Sequence, residues 1–541
     1  MFLFRILLFL LCCNTLAAQA PAFTREDTLR GSITPERVWW DWTSSRLEVK
    51  INKDSSIVGQ NTLYYTALQS GRTLQIDLQP PLVVESMEQE GISVGFRHVS
   101  RNVWYADLPE TVQKGAQKAL TVRYRGHPRI APRAPWDGGF SWKKDASGAM
   151  FAATSCQGLG ASVWWPCKDH AYDEPDSMRI IISVKPPLKA VSNGRLVRTT
   201  DNADGTRAYE WAVKNPINNY GVNANIAQYE HWNDTLQGEK GTLTLDFYAL
   251  PENLKRAKEQ FKQAKLMLRA FEYWFGPYPF YEDGYKLVEV PYLGMEHQSS
   301  TTYGNAYRNG YLGRDLSGTG WGLKWDFIII HESGHEWFAN NITYRDIADM
   351  WIHESFTNYS ESLYTEYYYG KKAGAEYVRG TRQNIDNDRP IIGQYEVNQE
   401  GSADMYYKGG NMLHTIRQIV DNDALWRDVL RGLNREFYHQ TVTTAQIEQF
   451  MIRKSGKNLQ KIFDQYLRTT QVPVLEYRLK KRKCAVRWKN CVPGFDMPVK
   501  VSFGKGGDEW IAPTTEWQNL KKGKIRTFTV SEDFYVGAEK M

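Results

Sequence analysis

Two histidines four residues apart, His331 and His335, constrain this chain more than any other feature of its sequence. They belong to the motif His331-Glu332-Ser333-Gly334-His335, which follows a strongly apolar run at 325–330 that is typical of a buried helix. Positions i and i+4 fall on one face of an α-helix, so the two imidazoles are expected side by side, roughly one turn apart. Two imidazoles and a carboxylate, with a fourth position left to water, make up a typical catalytic zinc site.

Glu354 is the expected third ligand. Eighteen residues separate it from His335, which leaves room for one connection and the start of a second helix. The metzincin pattern would instead need a glycine and a histidine after the motif, but Phe338 and Asn341 occupy those positions. Glu332 lies one residue from the first ligand, close enough to reach a metal-bound water without being a ligand itself. An ordinary amphipathic helix that carries the same motif by chance is the alternative.

Residues 1–20 are not expected to belong to the fold. Arg5 precedes an apolar stretch at 6–13, and small residues follow up to Ala18. The stretch is too short to span a bilayer, so a cleaved secretory signal peptide over 1–18 is predicted. A cut after Ala20 and a lipoprotein cut before one of two adjacent cysteines are the weaker alternatives. The protein is therefore expected to be exported, periplasmic or extracellular, with no integral membrane segment after cleavage.

Composition indicates several packed domains. Roughly 520 residues after the signal peptide suggest three or four domains. A hydrophobic content of 42% and an aromatic content of 13% are ample for packed cores and argue against disorder. The formal net charge of +6 is small for 541 residues, and no nucleic-acid-binding motif accompanies it, so nucleic acid is not an expected partner.

Four cysteines remain beyond the signal peptide: Cys156, Cys167, Cys484 and Cys491. Their closeness in pairs and the oxidising destination favour two local disulfides, Cys156–Cys167 and Cys484–Cys491. Free buried thiols are the alternative, and the sequence does not decide between the two.

Hydrophobic periodicity divides the remaining chain into three parts. Over 22–240, segments such as 46–51 and 73–78 alternate apolar and polar residues, which predicts a large antiparallel β domain. From 241 to 469 a short strand at 285–290 is followed mainly by helical patterns. Over 470–541 the β pattern returns, and its length suits one small β-sandwich. The fold class expected is multidomain α+β.

Four motifs, spread over about 150 to 470, together resemble the aminopeptidase N family of gluzincin zinc metallopeptidases. The motifs are His331-Glu332-x-x-His335 with Glu354 in Trp351-Ile352-His353-Glu354-Ser355-Phe356; Gly294-Met295-Glu296-His297; Tyr406-Tyr407-Lys408-Gly409; and Ser155-Cys156-Gln157 followed by Trp165-Pro166-Cys167 and Asp173-Glu174-Pro175. The resemblance implies that the middle part is a thermolysin-like, mostly helical catalytic domain.

The resemblance also implies a zinc-dependent aminopeptidase. One zinc ion per chain would be held by His331, His335 and Glu354. Glu332 would act as the general base on the zinc-bound water, a step typically worth 10²–10⁴-fold. Tyr406 would stabilise the oxyanion that forms at the attacked carbonyl. Without the resemblance, Tyr406 is more simply explained as an aromatic residue at a helix end.

Substrate contacts follow from the same resemblance. Glu296 would pair with the free α-ammonium of a peptide, a charge-assisted bond that internal or N-blocked peptides cannot make. Gln157 would accept from that ammonium, and Gly294 and Met295 would line the path of the substrate backbone. Taken alone, Glu296 could be an exposed strand-end carboxylate and Gln157 a turn residue.

The chain departs from the family pattern in several places. Leu293 and His297 replace the first glycine and the asparagine of the family's Gly-x-Met-Glu-Asn, and His353 replaces the asparagine before the third ligand. Both histidines are expected to have structural roles, because three protein ligands already leave zinc its open position. The large C-terminal helical domain of many relatives is expected to be absent, which would give a more open cleft.

Two other functions stay open. A thermolysin-like zinc endopeptidase would cut free and N-acetylated peptides equally well. A catalytically silent, zinc-containing peptide-binding protein would bind metal but turn over no substrate. The residues that fix the side-chain preference, the physiological substrate and the oligomeric state are not apparent in the sequence.

Overall fold

The structure is a computed structural model that describes residues 23–480, 483–504, 507–521, 525 and 527–541. The predicted signal peptide, residues 1–18, lies outside these described residues.

An extended β domain follows two short helices, α1 (Arg25–Gly31) and α2 (Pro35–Val38). Its strands are β1 (Trp40–Ile51), β2 (Ile57–Ala67), β3 (Gly71–Asp77), β4 (Val83–Gln89), β5 (Ile92–Ser93), β6 (Gly95–Ser100), β7 (Val103–Val112), β8 (Gln117–Gly126), β9 (Gly139–Lys144), β10 (Met150–Ser155), β11 (Ser177–Val184), β12 (Lys189–Val191), β13 (Arg195–Asp201), β14 (Arg207–Val213) and β15 (Asn225–Ala227). Three sheets result, with the orders β13-β14-β11-β1-β2-β8-β4-β5, β12-β15-β10-β9 and β3-β7-β6. Within them only β1 and β11 run parallel among the described strands, so the predicted antiparallel character is confirmed.

A five-stranded sheet connects this domain to the helical part. Its strands are β16 (Glu230–Gly238), β17 (Gly241–Ala249), β18 (Tyr285–Glu289), β19 (Gly294–Met295) and β20 (Thr301–Tyr303), in the order β16-β17-β18-β20-β19. The predicted domain limit at 240 falls in the turn between β16 and β17. The short strand β19 lies at one edge of the sheet, paired only with β20 among the described strands.

Helices dominate the next part of the chain. They are α3 (Leu254–Gln260), α4 (Gln263–Phe275), α5 (Phe327–Gly334), α6 (Trp351–Tyr369), α7 (Lys371–Gly380), α8 (Tyr407–Val420), α9 (Asp423–Glu436), α10 (Thr444–Ser455) and α11 (Gln460–Arg468). A small parallel pair, β21 (Ile342–Tyr344) and β22 (Gln440–Val442), lies among them. None of the helices in the described ranges is both long and apolar enough to cross a membrane.

The chain ends in two small sheets. Their strands are β23 (Val474–Lys480), β24 (Lys483–Lys489), β25 (Val499–Ser502), β26 (Asp508–Ile511), β27 (Gln518–Lys521), β28 (Thr529–Val530) and β29 (Gly537–Lys540), in the orders β27-β24-β23-β29 and β26-β25-β28. Trp488 and Val501, one from each sheet, belong to the same hydrophobic core as the helices. The predicted fold class, a β domain followed by a helical domain and C-terminal strands, is confirmed.

The edge strand β19 is held from two sides. Its hydrogen bonds to β20 tie it to the five-stranded sheet, whereas the side chain of Met295 is buried in the core of the N-terminal β domain together with Tyr292. The Tyr292 hydroxyl donates to the carbonyl oxygen of Thr154 on β10, at 2.7 Å. Because both domains fix this strand, the residues that follow it have little freedom to move.

The cysteines settle one question that the sequence left open. Cys156, Cys167 and Cys491 are free thiols, so neither of the two predicted local disulfides is present. The first two are completely buried in the N-terminal core, where burial raises the pKa of both thiols. Packing in an apolar core, rather than a covalent bond, therefore accounts for their positions.

We expect the three thiols to differ in reactivity. Cys491 is partly exposed, so iodoacetamide should label it in the native protein. Cys156 and Cys167 should react only after denaturation, because solvent does not reach them. Peptide mapping by mass spectrometry measures the labelling at each cysteine. Native labelling of Cys156 as fast as that of Cys491 would contradict the structure.

Candidate active site

Helix α5 carries the zinc motif and begins at a strong N-cap. The buried Asp326 carboxylate accepts from the backbone N–H of Ile328 and Ile329, at 3.0 and 3.3 Å, and from the Tyr303 hydroxyl at 2.7 Å. An aspartate in this position satisfies backbone donors that a helix otherwise leaves unpaired. The cap ties the start of α5 to β20, and the apolar residues that follow bury the helix in the core.

The helix ends within the motif. His331 lies in the last turn of α5, and His335 follows its final residue in helical conformation. The next residues, Glu336–Asn340, have π-type hydrogen bonding, but the backbone angles of Phe338 and Ala339 are not helical. The two imidazole rings stand edge to face with their centroids 5.0 Å apart, so the predicted side-by-side placement is found.

Glu354 lies in the first turn of α6, opposite the histidines. One of its oxygens, Oε2, is 3.7 Å from His331 Nε2 and 3.4 Å from His335 Nε2. All three side chains are buried. Burial alone would raise the pKa of Glu354, but the two imidazoles bring it below its usual value. The structure thus brings together the three predicted ligands.

Hydrogen bonds orient both imidazoles. Nδ1 of His331 lies 2.7 Å from Glu361 Oε1, and Nδ1 of His335 lies 3.0 Å from the carbonyl oxygen of Phe338. Both partners are acceptors, so each Nδ1 carries the proton and each Nε2 is left with its lone pair facing Glu354. Glu361 is fixed in turn by the Tyr377 hydroxyl, at 2.6 Å.

The donor set fits zinc. Glu354 Oε2 is a buried oxygen with no hydrogen-bond partner among the described residues, although such atoms are nearly always satisfied. Two imidazole nitrogens face the same atom. Two nitrogens and one carboxylate oxygen are ligands that zinc commonly takes in catalytic sites.

Glu332 lies next to β19. A Cβ atom on Gly294 would come within 2.6 Å of Ile328 Cγ2 and 3.3 Å of Glu332 Cγ. Only glycine therefore allows the helix to approach the edge strand this closely. Burial raises the pKa of Glu332 to about 7, against the opposing effect of His331.

Glu296 follows β19 and is almost completely buried. Its Oε1 accepts from Gln157 Nε2 at 2.7 Å and from the Tyr220 hydroxyl at 3.3 Å, and both donors come from the N-terminal domain. The Asn340 side chain holds its backbone carbonyl at 2.8 Å. Burial raises the pKa of Glu296, with Glu354 acting in the same direction and His335 against it.

The loop that carries Gln157 is braced from outside. Gln157 Nε2 also donates to Glu354 Oε1, at 3.1 Å, so one amide links the predicted amine site to a predicted zinc ligand. The next carbonyl, that of Gly158, accepts from Arg30 Nη2 and from Asn398 Nδ2, each at 3.1 Å. Sequence reasoning missed Arg30 and Asn398, because nothing in their local patterns distinguishes them.

Tyr406 stacks against the first histidine. It lies between a short 3₁₀ helix, Ala403–Met405, and α8, with its ring centroid 6.1 Å from that of His331. Burial, Glu354 and Glu296 raise the pKa of its hydroxyl well above the usual value. The hydroxyl therefore stays protonated at neutral pH and can act as a donor.

All predicted site residues line one cavity of about 330 Å³. Among its lining residues are Gln157, Gly294, Met295, Glu296, His331, Glu332, His335, Glu354 and Tyr406. Its apolar part includes Trp136, Leu293, Tyr311, Leu316, Phe327 and Tyr407. No lysine or arginine is among the described residues that line it, so the cavity is acidic.

Two of the departures from the family pattern, the histidines His297 and His353, lie outside the ligand cluster. His353 Nε2 accepts from the backbone N–H of Tyr344 at 2.9 Å, and its ring stacks on that tyrosine. His297 Nδ1 lies 3.3 Å from Thr302 Oγ1. Both are completely buried, and burial lowers the pKa of each, that of His297 to about 3.

Comparison with protein-family models gives two matches. The model of the peptidase family M1 domain matches residues 260–466, and the model of the peptidase M1 N-terminal domain matches residues 43–220. Together they cover most of the chain, including every residue described above for the active site except Arg30.

Similar sequences are found among named aminopeptidases. Endoplasmic reticulum aminopeptidase 1 of Homo sapiens is 22% identical over 421 residues, which is 74% of this chain and 42% of that protein. Probable aminopeptidase 1 of Saccharolobus solfataricus is 21% identical over 332 residues, 59% of this chain and 41% of that protein. The matched regions thus span less than half of the length of these relatives.

Solved structures share the fold. A point mutant of the M1 zinc metallopeptidase of Deinococcus radiodurans, bound to a Tyr-Ser-Ala substrate, superposes with a TM-score of 0.66 at 20% identity. The match covers 81% of this chain and 96% of that one. At this identity the likeness concerns the fold alone.

We expect His297 to make the protein sensitive to acid. Its pKa is about 3 in the folded protein, whereas the ordinary value for histidine is 6.5. Between these two pH values only the unfolded state binds a proton at this residue. Stability should therefore fall as pH falls below about 6.5, by about 2 kcal/mol at about pH 5 for this one residue. In His297→Asn the loss between about pH 7 and pH 5, measured by urea unfolding, should be smaller by that amount.

His98→Asn is the matched control, because it makes the same substitution at an exposed histidine. Equal pH dependence in wild type and His297→Asn would show that the fold does not hold His297 neutral.

Proposed function

The chain belongs to the peptidase M1 family, and on this basis we propose that it is a zinc-dependent aminopeptidase that removes N-terminal residues from peptides. One observation carries the proposal: a buried carboxylate, Glu296, faces the same cavity as the cluster of His331, His335 and Glu354. The cluster provides for peptide-bond hydrolysis. Glu296 limits that hydrolysis to the amino end of a peptide substrate.

The buried Glu296 selects a free amino end. Its two side-chain hydrogen-bond partners, Gln157 and Tyr220, are neutral donors, and no lysine or arginine of the described residues pairs with it. A substrate ammonium supplies that charge and a charge-assisted hydrogen bond. An internal or N-acetylated peptide would bury Glu296 without a counter-charge, which is costly. This is the reason to favour an aminopeptidase over the thermolysin-like endopeptidase.

Zinc would be held by His331, His335 and Glu354, one ion per chain. When bound, it acts as a Lewis acid that polarises the scissile carbonyl and makes water more acidic. The carboxylate of Glu332, whose pKa burial raises, takes a proton from the attacking water and passes it to the leaving amine. Burial thus makes it a stronger base for the first of these transfers.

Tyr406 stabilises the charge that develops on the carbonyl oxygen. Its hydroxyl remains a donor at neutral pH because its pKa is raised. Losing one such donor typically lowers the rate roughly 10²–10³-fold. The intact pair of Glu332 and Tyr406 argues against a catalytically silent binding protein, which would need neither.

The substrate backbone has a place to bind. Strand β19 is the edge of its sheet, and β20 is its only partner among the described strands. An extended peptide can add to such an edge by main-chain hydrogen bonds. If the ammonium of the bound peptide pairs with Glu296, the first peptide bond of that peptide would lie beside the ligand cluster.

Export is part of the proposal. The signal-peptide pattern over 1–18 supports a periplasmic or extracellular location. The substrates would then be peptides outside the cytoplasm.

Replacing the general base should abolish turnover but leave metal binding intact. Glu332→Gln keeps the shape of the side chain and removes the proton acceptor, so kcat should fall ~10²–10⁴-fold. Zinc content, measured by atomic absorption, should equal that of wild type. His335→Ala is the contrasting variant, which should lose zinc as well as activity. Full activity in Glu332→Gln would remove this residue from the mechanism.

Replacing Glu296 should weaken discrimination between free and blocked peptides. In Glu296→Gln, kcat/KM for a free aminoacyl-aminocoumarin should fall roughly 10- to 100-fold, because a charged hydrogen bond is lost. The N-acetylated substrate should be cut somewhat faster than by wild type, because the neutral side chain no longer has to be buried as an unpaired charge. Glu282→Gln, at an exposed position, is the matched control. If wild type cuts both substrates equally well, the endopeptidase is the better description.

A further inference from the structure

A second cavity, of about 480 Å³, lies in the N-terminal β domain and shares no lining residue with the active-site cavity. Four segments surround it: the turn between β1 and β2, the β9–β10 hairpin, the residues that follow β11, and Gln228 after β15. The first three bring Lys53, the pair Lys143 and Lys144, and Lys185, respectively, to its wall. This site is termed the lysine cavity. Its volume is typical of pockets for small organic ligands.

The pleat of β9 determines which hairpin side chains share a face. Trp142 and Lys144 are two residues apart and lie on one face, whereas the side chain of Lys143 lies on the other. On β10, Met150 is paired with Lys144. The indole of Trp142 stacks on Phe140, with 4.6 Å between ring centroids. The lysine cavity therefore combines an apolar wall with ammonium groups.

The positive charge of the cavity is not compensated. Lys53, Lys144 and Lys185 are exposed and form no ion pair among the described residues, whereas Lys50 and Lys118 elsewhere in the domain pair with Asp204 and Glu90. No aspartate or glutamate lines the cavity within the described part of the chain. Like charges brought together in this way attract an anion.

The two acidic residues adjacent in sequence are occupied in their own turns. Asp54 accepts from the backbone N–H of Ser56 at 3.1 Å, and Asp145 accepts from those of Ser147 and Ala149 at 2.9 and 3.0 Å. They shape the two turns and are not paired with the lysines.

One donor in the wall lacks an acceptor. Trp142 Nε1 is shielded from solvent and has no hydrogen-bond partner among the described residues. Leaving a buried N–H unpaired is unfavourable, and an oxygen atom of a ligand could satisfy it only if the side chains that shield it from the cavity move apart.

We propose that the lysine cavity binds a small organic phosphate. The dianion would lie among Lys53, Lys144 and Lys185, because a phosphate offers several oxygens to cations that come from three directions. A ring or short hydrocarbon attached to it would lie against Trp142 and Met150. The site is separate from the proposed peptidase activity and does not depend on it.

Isothermal titration calorimetry with phenyl phosphate tests the proposal on the full chain. Inorganic phosphate, which has the charge alone, and benzyl alcohol, which has the ring alone, should both bind more weakly than phenyl phosphate. The double variant Lys53→Ala/Lys144→Ala should raise the Kd of phenyl phosphate about tenfold, since two partly exposed charge contacts are lost. Added salt should weaken the wild-type interaction.

Lys114→Ala is the matched control, because Lys114 is an exposed lysine of the same domain outside the cavity. It should bind as wild type does. Near-ultraviolet circular dichroism and Tm verify that each variant is folded. Sedimentation with phosphatidate vesicles that the double variant loses would identify a lipid headgroup as the source of the phosphate; binding of the soluble ester alone would identify a small metabolite.

Two results would overturn the proposal. One is phenyl phosphate binding no more tightly than inorganic phosphate. The other is binding that the folded double variant retains in full, which would place the anion elsewhere on the protein.

Discussion

The contact between α5 and α6 is the interaction on which the site depends. Two carboxylates of α6, seven residues apart and therefore on one face, hold the two imidazoles of α5: Glu361 fixes the tautomer of His331, and Glu354 faces both Nε2 atoms. Four ionisable groups are buried together here. They are tolerable because both Nδ1 atoms, both oxygens of Glu361 and Oε1 of Glu354 have hydrogen-bond partners, and because a metal ion would take Glu354 Oε2. Any shift of α5 along α6 would separate the two carboxylates from the two imidazoles.

The second half of the site is made between domains. Glu296 directly follows strand β19, but its side-chain partners Gln157 and Tyr220 belong to the N-terminal β domain. Under the proposed function, hydrolysis and selection of the amino end therefore have different structural origins. The ligand cluster is assembled within the helical part, whereas the place for a substrate ammonium exists only when both domains are docked.

The sequence was sufficient for the fold class and for the cluster, because His331, His335 and Glu354 have a spacing that follows from helix geometry. It was not sufficient for features that depend on contacts between segments far apart in the sequence. One such place is the break between α3 and α4 near Phe261, where the flanking Gln260 and Gln263 side chains both donate to Asn309. The π turn after His335, the role of Glu361 and the absence of the predicted disulfides likewise depend on tertiary packing, which local periodicity does not record.

The small helix α1 lies outside the two regions that match the family, yet it reaches the site through Arg30 and the Gly158 carbonyl. Its last residue, Gly31, packs so tightly on Val397 and Asn398 that a methyl group would not fit. Helix α1 and the loop of the helical part that carries Asn398 thus both hold the Gln157 loop in place. Proteolysis between α1 and β1 would remove the Arg30 support from the Gln157 loop and leave the imidazoles in place. Under the proposed function, it would weaken selection of the amino end more than metal binding.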